Sequence, residues 1–574
     1  MRTSLLTCLV LLPMLMASQL PGDRPAPNPR ATRSVVMARN GVIATSQPLA
    51  SAAGLQVLQS GGNAIDAAVT AAAVLSVVEP TMNGIGGDLF AIIYDAETKT
   101  LKALNASGRA GAAARPAYFA DRKLTSIPYR GALAVSVPGV VDGWSELLAR
   151  HGTITMAQAL APAVGYARDG YAVAEVLAHQ WADAEGTLAR DPAAARTFLI
   201  DGRAPKPGEV FRNPNLAASL EAIAKGGRDA FYKGELAARI TKDLQARDGI
   251  LTAADFAAHR SDWVETISTN YRGYDVHEMP PNTQGIVALE MLNILEGFDL
   301  KAMGHNSGAY LHHLVEAKRI AFADREAHLA APDAVKPDAL KMMLSKDYAA
   351  RRRAEINPAR AARDYAAGTP GGVTPGAESR EAGSAGLQAR ENMGDTIYLT
   401  VADRHGNVVS LIQSIYESFG AGIVAGDTGI VLHNRGSQFS LDASHPNVVA
   451  PNKRPFHTLV PAMVMKDGKP WLSFGVMGGD MQPQGHVQVL VNLIDFGMNV
   501  QEAGEAPRFR HTGSGLAVES AITPEARYYL NDRGHRLINM IGAFGGFQGI
   551  LIDPKTGVLM GGSDPRKDGL AIGY

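Results

Sequence analysis

The sequence predicts an α+β fold, and three stretches carry that expectation. From Gly394 to Gly420 the chain reads GDTIYLTVADRHGNVVSLIQSIYESFG, in which Thr396, Tyr398 and Thr400 alternate with Ile397, Leu399 and Val401. A period of two is that of a half-buried strand. His405-Gly406-Asn407 supplies turn residues and Val408 to Ile412 resumes a strand, so this piece reads as a hairpin. Leu49 to Gln59 is helical in pattern and stops at Gly61-Gly62; Asn63 then caps a second helix, Ala64 to Val78, which Glu79-Pro80 ends. Leu89 to Tyr94 follows as a strand.

In chain order, Met1 to Ser18 has the shape of a secretory signal: Arg2, an apolar run from Leu5 to Met16, and small residues at Ala17-Ser18. That run is too short for a membrane span, and no other stretch is long and apolar enough for one. Residues 19–33 read as a disordered leader. The folded body begins with short strands at Ser34 to Ala38 and Gly41 to Thr45. Asn83-Gly84-Ile85-Gly86-Gly87-Asp88 looks like a phosphate loop, but no helix and no Lys-Ser/Thr follow it. Residues 34–395 form one unit, whose last part, 354–395, is rich in Ala, Gly, Pro and charge with no apolar period, a flexible segment. Residues 396–574 form the second unit.

A flexible run ending at Asp395-Thr396, with a strand starting on the threonine, reads as a cut site. Cleavage there puts a hydroxyl and a free amine on Thr396. An α-amino group titrates near ~7.7–8.0, so it can act as the threonine's own base. Taken alone, Thr396 reads equally as an ordinary strand threonine after a loop. The 574 residues are 46% hydrophobic, enough for a large core, and the net charge of −1 gives no footprint for nucleic acid. The one cysteine, Cys8, lies in the signal run, which excludes a disulfide framework and cysteine-based chemistry in the mature chain.

GVIATSQPLASAAGLQVLQSGGNAIDAAVTAAAVLSVVEPTMNGIGGDLF, ALAVSVPGVVDGW, PPNTQGIVALEMLNILEGFD and YLHHLVEAKRIAFADR precede the cut. GDTIYLTVADRHGNVVS, FGAGIVAGDTGIVLHN, APNKRPFHTLVPAMV, FGVMGGDMQPQ and SDPRKDGLAIGY follow it. In this order, from about Arg33 to Tyr574, these blocks resemble the γ-glutamyltransferase family of N-terminal-nucleophile hydrolases. The resemblance implies a four-layer αββα sandwich made as a precursor that cuts itself before Thr396 into two interleaved subunits. It implies no cofactor and no metal, an acidic amide as substrate, and water or an amino acid or peptide as acceptor. The signal points to export, periplasmic in a bacterium with two membranes.

The resemblance also assigns residues. Thr396 is the nucleophile; Ser414 is the hydroxyl that hydrogen-bonds it, and without the family reads as a strand serine. Gly478 and Gly479 give the oxyanion N–H groups, or else a simple turn. Arg109 clasps the substrate carboxylate, for which a guanidinium's paired donors suit it; otherwise it is a surface ion pair. His457 and Thr458 stand where two serines line the glutamyl pocket. The departures concern the substrate ammonium: its acidic partner aligns with the neutral Gln438, a second contact aligns with Tyr416, and Arg435 adds like charge. Ile397 and Tyr398 replace a threonine and a histidine, and the stretch from Phe439 to Pro451 is too short for a long lid. These changes resemble the branch with oxamate amidohydrolase and cephalosporin-acylase-like proteins.

His312, His313 and Glu316 mimic metal ligands on one helical turn but read as a satisfied helix face. His486 reads as a core histidine, and Asp564-Pro565-Arg566 as a buttress of the last strand. Two classes of function remain: a self-processed threonine amide hydrolase or acyl transferase, of γ-glutamyl or other acidic amides, and an exported binding protein without chemistry. Retention of Asp395-Thr396, Ser414 and Gly478-Gly479 favours the enzyme.

Overall fold

The computed structural model describes residues 31–370 and 395–574, so the signal segment, most of the leader and residues 371–394 lie outside the described residues. Two seven-stranded sheets form the centre. One runs Val36–Ala38, Leu559–Ser563, Phe547–Ile552, Lys469–Val476, Ala462–Lys466, Tyr274–Glu278, Ile267–Tyr271. The other runs Leu570–Gly573, Gly41–Thr45, Asp395–Asp403, Val408–Tyr416, Asp88–Asp95, Thr100–Ala106, Asp262–Val264.

Three apolar layers make this a four-layer αββα sandwich. Between the sheets lie Val42, Phe90, Ile92, Tyr398, Ile412, Met463 and Ile550. The outer face of the second sheet, with Ile397, Leu399 and Val401, packs on the helices Pro48–Gln59, Ala64–Val78 and Met156–Asp169. The outer face of the first packs on Gly285–Leu295, Gly308–His328 and Met481–Ile494. Every residue of Ala64–Val78 is buried, and its apolar circumference, mostly alanine and valine, is what a helix enclosed on all sides requires. The Asn63 side chain accepts from Ile65 and Asp66 N–H, and Asp66 in turn accepts from Asn63 N–H, closing a capping box.

The hairpin forms as expected, Asp395–Asp403 against Val408–Tyr416. Its turn is tied by the Asp403 carboxylate, which accepts from His405 and Asn407 N–H and also from Ala64 N–H at the start of the buried helix. The expectation of a half-buried strand is corrected: Thr396, Tyr398 and Thr400 face the other sheet, not water, and are buried. Their hydroxyls are satisfied inside, Tyr398 to Ser410 at 2.7 Å and Thr400 to Ser473 at 2.7 Å. Left unpaired, each would cost about 1–3 kcal/mol.

Each sheet combines strands from both sides of the 395/396 junction, and at the far edge Leu570–Gly573 pairs with Gly41–Thr45. Of the segment read as flexible, residues 354–370 are anchored, with Ile356 and Tyr365 buried and the Tyr365 hydroxyl donating to Glu316 at 2.7 Å; the rest, to 394, lies outside the described residues. The phosphate-loop glycines serve close passage of backbone: a Cβ on Gly86 or Gly87 would collide with the Val431 or Ser414 carbonyl. Asp564 accepts from Phe547 N–H and pairs with Arg508 and Arg566, fastening the last strands.

Candidate active site

Thr396 stands at the start of its strand, where the pairing register slips between Asp395 and Ile397. It is 2% exposed. Its Oγ1 donates to Ser414 Oγ at 3.3 Å, and Ser414 Oγ accepts from Tyr416 N–H at 2.7 Å. Asp395 pairs with Tyr416 across the hairpin. Tyr416 has φ +79, a conformation that bulky residues rarely adopt. The strand therefore turns sharply at Tyr416, and the Ser414 hydroxyl takes up the N–H that the turn frees.

The Tyr416 side chain is enclosed by the residues read as departures. Gln438 donates its amide to the Tyr416 hydroxyl, and the Arg435 guanidinium lies over the Tyr416 ring at 4.1 Å. Arg435 is fully buried and donates from Nη1 to Thr458 Oγ1 at 3.0 Å. Its Nε and Nη2, the paired donors on one edge of the fork, have no hydrogen-bond partner. Burial pushes this guanidinium down to about 10, so it stays charged at neutral pH. Glu417, also buried, lies against Tyr129, whose hydroxyl is pushed up first by burial and then by that carboxylate.

Asp88 sits directly across the sheet from Ser414. Its carboxylate accepts from Gly108 N–H at 2.8 Å and from His457 Nε2 at 3.0 Å, faces His433 Nδ1 at 3.1 Å, and lies 4.0 Å from Arg435 Nε. Burial alone would raise it; the two histidines outweigh that and hold it well below the usual carboxylate range. Burial, and then the charge of Arg435, bring His457 down to about 3, so it serves Asp88 as a neutral donor. His457 therefore braces Asp88, and Thr458 braces Arg435.

Gly478 and Gly479 form a turn with φ of +112 and +59, both in the region that favours glycine. The turn opens the helix Met481–Ile494, whose N-terminal end favours negative charge. Gln284 fixes it: Nε2 donates to the carbonyls of Gly479 at 3.0 Å and Thr458 at 2.9 Å, while Oε1 accepts from Arg325. Arg325 also pairs with Asp480 at 2.8 Å. Tyr398, on the same strand face as Thr396, lies against Gly475, where a Cβ would come within 2.5 Å of the ring. Thr396, Ser414, Tyr416, Arg435, Thr458, Gln284 and Gly479 thus form one chain of contacts.

Arg109 is set apart from this chain. Its Nη1 donates to Arg260 O at 2.8 Å and its Nη2 pairs with Asp262 at 2.8 Å, beside Arg454, which shares that carboxylate. Nearly a third of its side chain is exposed, 29%. Sequence reasoning missed Asp88, His433, Gln284 and Arg325. Their one signal is position within the quoted blocks, since each meets its partners only through the fold. His312, His313 and Glu316 are satisfied by His535, Asn357 O, Ala309 O, Arg319 and Tyr365, and no metal-binding cluster occurs among the described residues. His486 is buried between Glu278 and Val476 N–H, a core histidine. Among the described residues no helix is long and apolar enough to cross a membrane.

Residues 50–574 match the family model described as Gamma-glutamyltranspeptidase. The glutathione hydrolase-like YwrD proenzyme of Bacillus subtilis is 42% identical, over 94% of this chain and 99% of its own. The oxamate amidohydrolase proenzyme of Klebsiella pneumoniae is 35% identical, over 93% and 98%. The crystal structure of cephalosporin acylase from Bacillus halodurans superposes with a TM-score of 0.87 at 41% identity, over 97% of this chain and 99% of that one. With its αββα sandwich and a match along nearly its whole length, the chain belongs to the γ-glutamyltranspeptidase family of enzymes.

Proposed function

We propose that this chain is exported to the periplasm, cuts itself before Thr396, and uses Thr396 to hydrolyse amides of acidic acyl groups that carry no α-ammonium. In self-cleavage Thr396 Oγ attacks the Asp395 carbonyl carbon, the peptide C–N bond breaks, and the acyl group moves to oxygen. Water opens that ester, leaving two interleaved subunits and a free amine on Thr396. That amine then takes the proton from Oγ as the hydroxyl attacks the substrate amide, the N–H groups of Gly478 and Gly479 face the developing oxyanion, and the leaving amine departs with the proton. Water, or an amino acid or peptide amine, releases the acyl group. Ser414 orients Oγ, and Arg109 is held on Asp262 and Arg260 O, apart from that chain of contacts.

The observation that carries the choice of acyl group is Arg435, a buried cation whose Nε and Nη2 have no hydrogen-bond partner, beside the neutral Gln438 and with Asp88 4.0 Å from Nε. A carboxylate suits those donors, whereas an α-ammonium would meet like charge. A second reading, γ-glutamyl transfer or hydrolysis, has Glu417 in its favour, since this buried carboxylate adjoins Tyr416. The test joins a denaturing gel and N-terminal sequencing of the small fragment with specificity constants for glutaryl and γ-glutamyl anilides. Two bands, a small fragment starting at Thr396, an uncut Thr396→Ala and a glutaryl preference are expected. An uncut wild type defeats the N-terminal-nucleophile reading. A wild type that prefers γ-glutamyl, and loses that preference in Glu417→Gln, establishes the second reading.

A further inference from the structure

Away from Thr396, a cavity of about 660 Å³ opens between the helix Gly308–His328, the segment 360–363, the hairpin Phe509–Val518 and the turn at 534–536. Its lining includes Arg319, Arg360, Arg363, Arg536, His511 and His535, and no aspartate or glutamate. We propose that this cavity is a binding site for a small polyanion, a molecule with two or more phosphate or carboxylate groups.

Arg319 is held by an ion pair with Glu316 at 2.9 Å and by backbone carbonyls, and the loops that carry the other three arginines are placed by backbone bonds. Arg319 donates to the carbonyls of Ala362 at 2.7 Å and Arg363 at 2.9 Å, Ala361 N–H donates to Arg533 O at 2.8 Å, and Leu516 N–H donates to Arg536 O at 2.8 Å. Those contacts fix the loops that carry Arg360, Arg363 and Arg536. The three guanidiniums have no acidic partner among the described residues. Behind the wall, the buried Lys318 places Nζ 3.3 Å from His511 Nδ1, and burial brings its ammonium down to about 7. Like charges gathered around a concavity with no acidic wall repel one another and raise the local concentration of anions. Guanidinium forks match the oxygens of phosphate and carboxylate alike, and the volume falls in the range of ~300–1,000 Å³ that small ligands occupy.

The site reaches the catalytic turn by one side chain. Gln484 accepts from His511 N–H at 2.8 Å and donates to Asp480 O at 2.9 Å, one residue after Gly479. An occupant that draws His511 toward the cavity pulls on that turn, so turnover should respond to binding.

The test is isothermal titration of the full-length processed protein at low ionic strength with pyrophosphate, with citrate and with chloride as a monovalent control. Pyrophosphate or citrate should bind with one site per chain, and whichever binds more tightly identifies the anionic group. The triple variant Arg360→Ala/Arg363→Ala/Arg536→Ala, all exposed positions, should weaken binding roughly 10-fold or more. Arg435→Gln should leave it unchanged, which separates this cavity from the acyl site. No binding of either polyanion by the wild type, or equal binding by the triple variant, overturns the proposal.

Discussion

Replacing Arg435 with glutamine separates a role in the acyl site from a role in the core. On the folding side, the change removes the bond to Thr458 Oγ1 at 3.0 Å and the cation over the Tyr416 ring at 4.1 Å. A hydrogen bond to a charged group contributes about 1.5–3 kcal/mol and a desolvated cation–π contact about 2 kcal/mol. Against that, Nε and Nη2 are buried without hydrogen-bond partners, Nε lying 4.0 Å from Asp88, and removing such donors returns about 1–3 kcal/mol each. The terms offset to within a few kcal/mol, and Asp88 keeps His433 and His457. Catalysis has no such offset. An acyl carboxylate deprived of a buried partner loses about 2–5 kcal/mol, roughly 30- to 5000-fold in kcat/KM. The assay compares a glutaryl anilide with the uncharged pentanoyl anilide, alongside a thermal melt. Arg435→Gln should lose the glutaryl substrate by that factor, hold or gain on pentanoyl, and melt near the wild type. Arg435→Lys keeps the charge without the fork and should fall between, and it carries the comparison if the glutamine variant does not cut itself. Arg109→Ala should cost less, since both terminal nitrogens of Arg109 are already bonded to Arg260 O and Asp262. Equal loss on both anilides, or an unchanged glutaryl preference, refutes the assignment of Arg435 to the acyl carboxylate.

Two further outcomes are expected. Gln284→Ala removes both bonds that hold the Gly479 and Thr458 carbonyls, so kcat should fall roughly 10- to 100-fold with KM little changed; a rise in KM alone would place Gln284 in substrate binding instead. The pH dependence of stability should show His457, whose folded value of about 3 lies below the ~6.5 of an unfolded histidine. Between those values the unfolded chain holds a proton that the folded chain does not, so this contribution is whole above about pH 6.5 and is lost as pH falls toward about 3. Melting temperature from pH 8 to 4 should drop less steeply in His457→Gln than in wild type, and an identical slope would sink the attribution.

Local period and turn chemistry made much of the fold legible: the hairpin with its His405-Gly406-Asn407 turn, the Asn63 cap and the stop at Glu79-Pro80. The direction in which a strand face looks was not legible. Thr396, Tyr398 and Thr400 alternate as a solvent face would, and only the second sheet, arriving with Ser473, turns that face inward. The same limit governs the site. Thr396 and Ser414 share one hairpin and can be read together. Asp88 meets Ser414 only by sheet pairing, and Gln284 meets Gly479 only by packing. Arg435 was legible as a charge near the ammonium position, but the lack of hydrogen-bond partners on its Nε and Nη2 is a property of burial, which no pattern of neighbours in sequence records.

Burial also explains how a threonine without a nearby basic side chain can be a nucleophile. Strands from both sides of the 395/396 junction pair with one another in both sheets, so a cut there would break one peptide bond and release no strand. In the proposed cleavage the new amine stays at the head of a strand, on a residue 2% exposed. In the proposed reaction that amine, which as a free α-amino group titrates near ~7.7–8.0, takes the proton from its own Oγ. The geometry that places this base is covalent, and neither Ser414 nor Tyr416 has to move to complete it. What the surrounding residues supply is the enclosure itself: Thr396 sits in one sheet, faces the other, and is buried in the uncut chain.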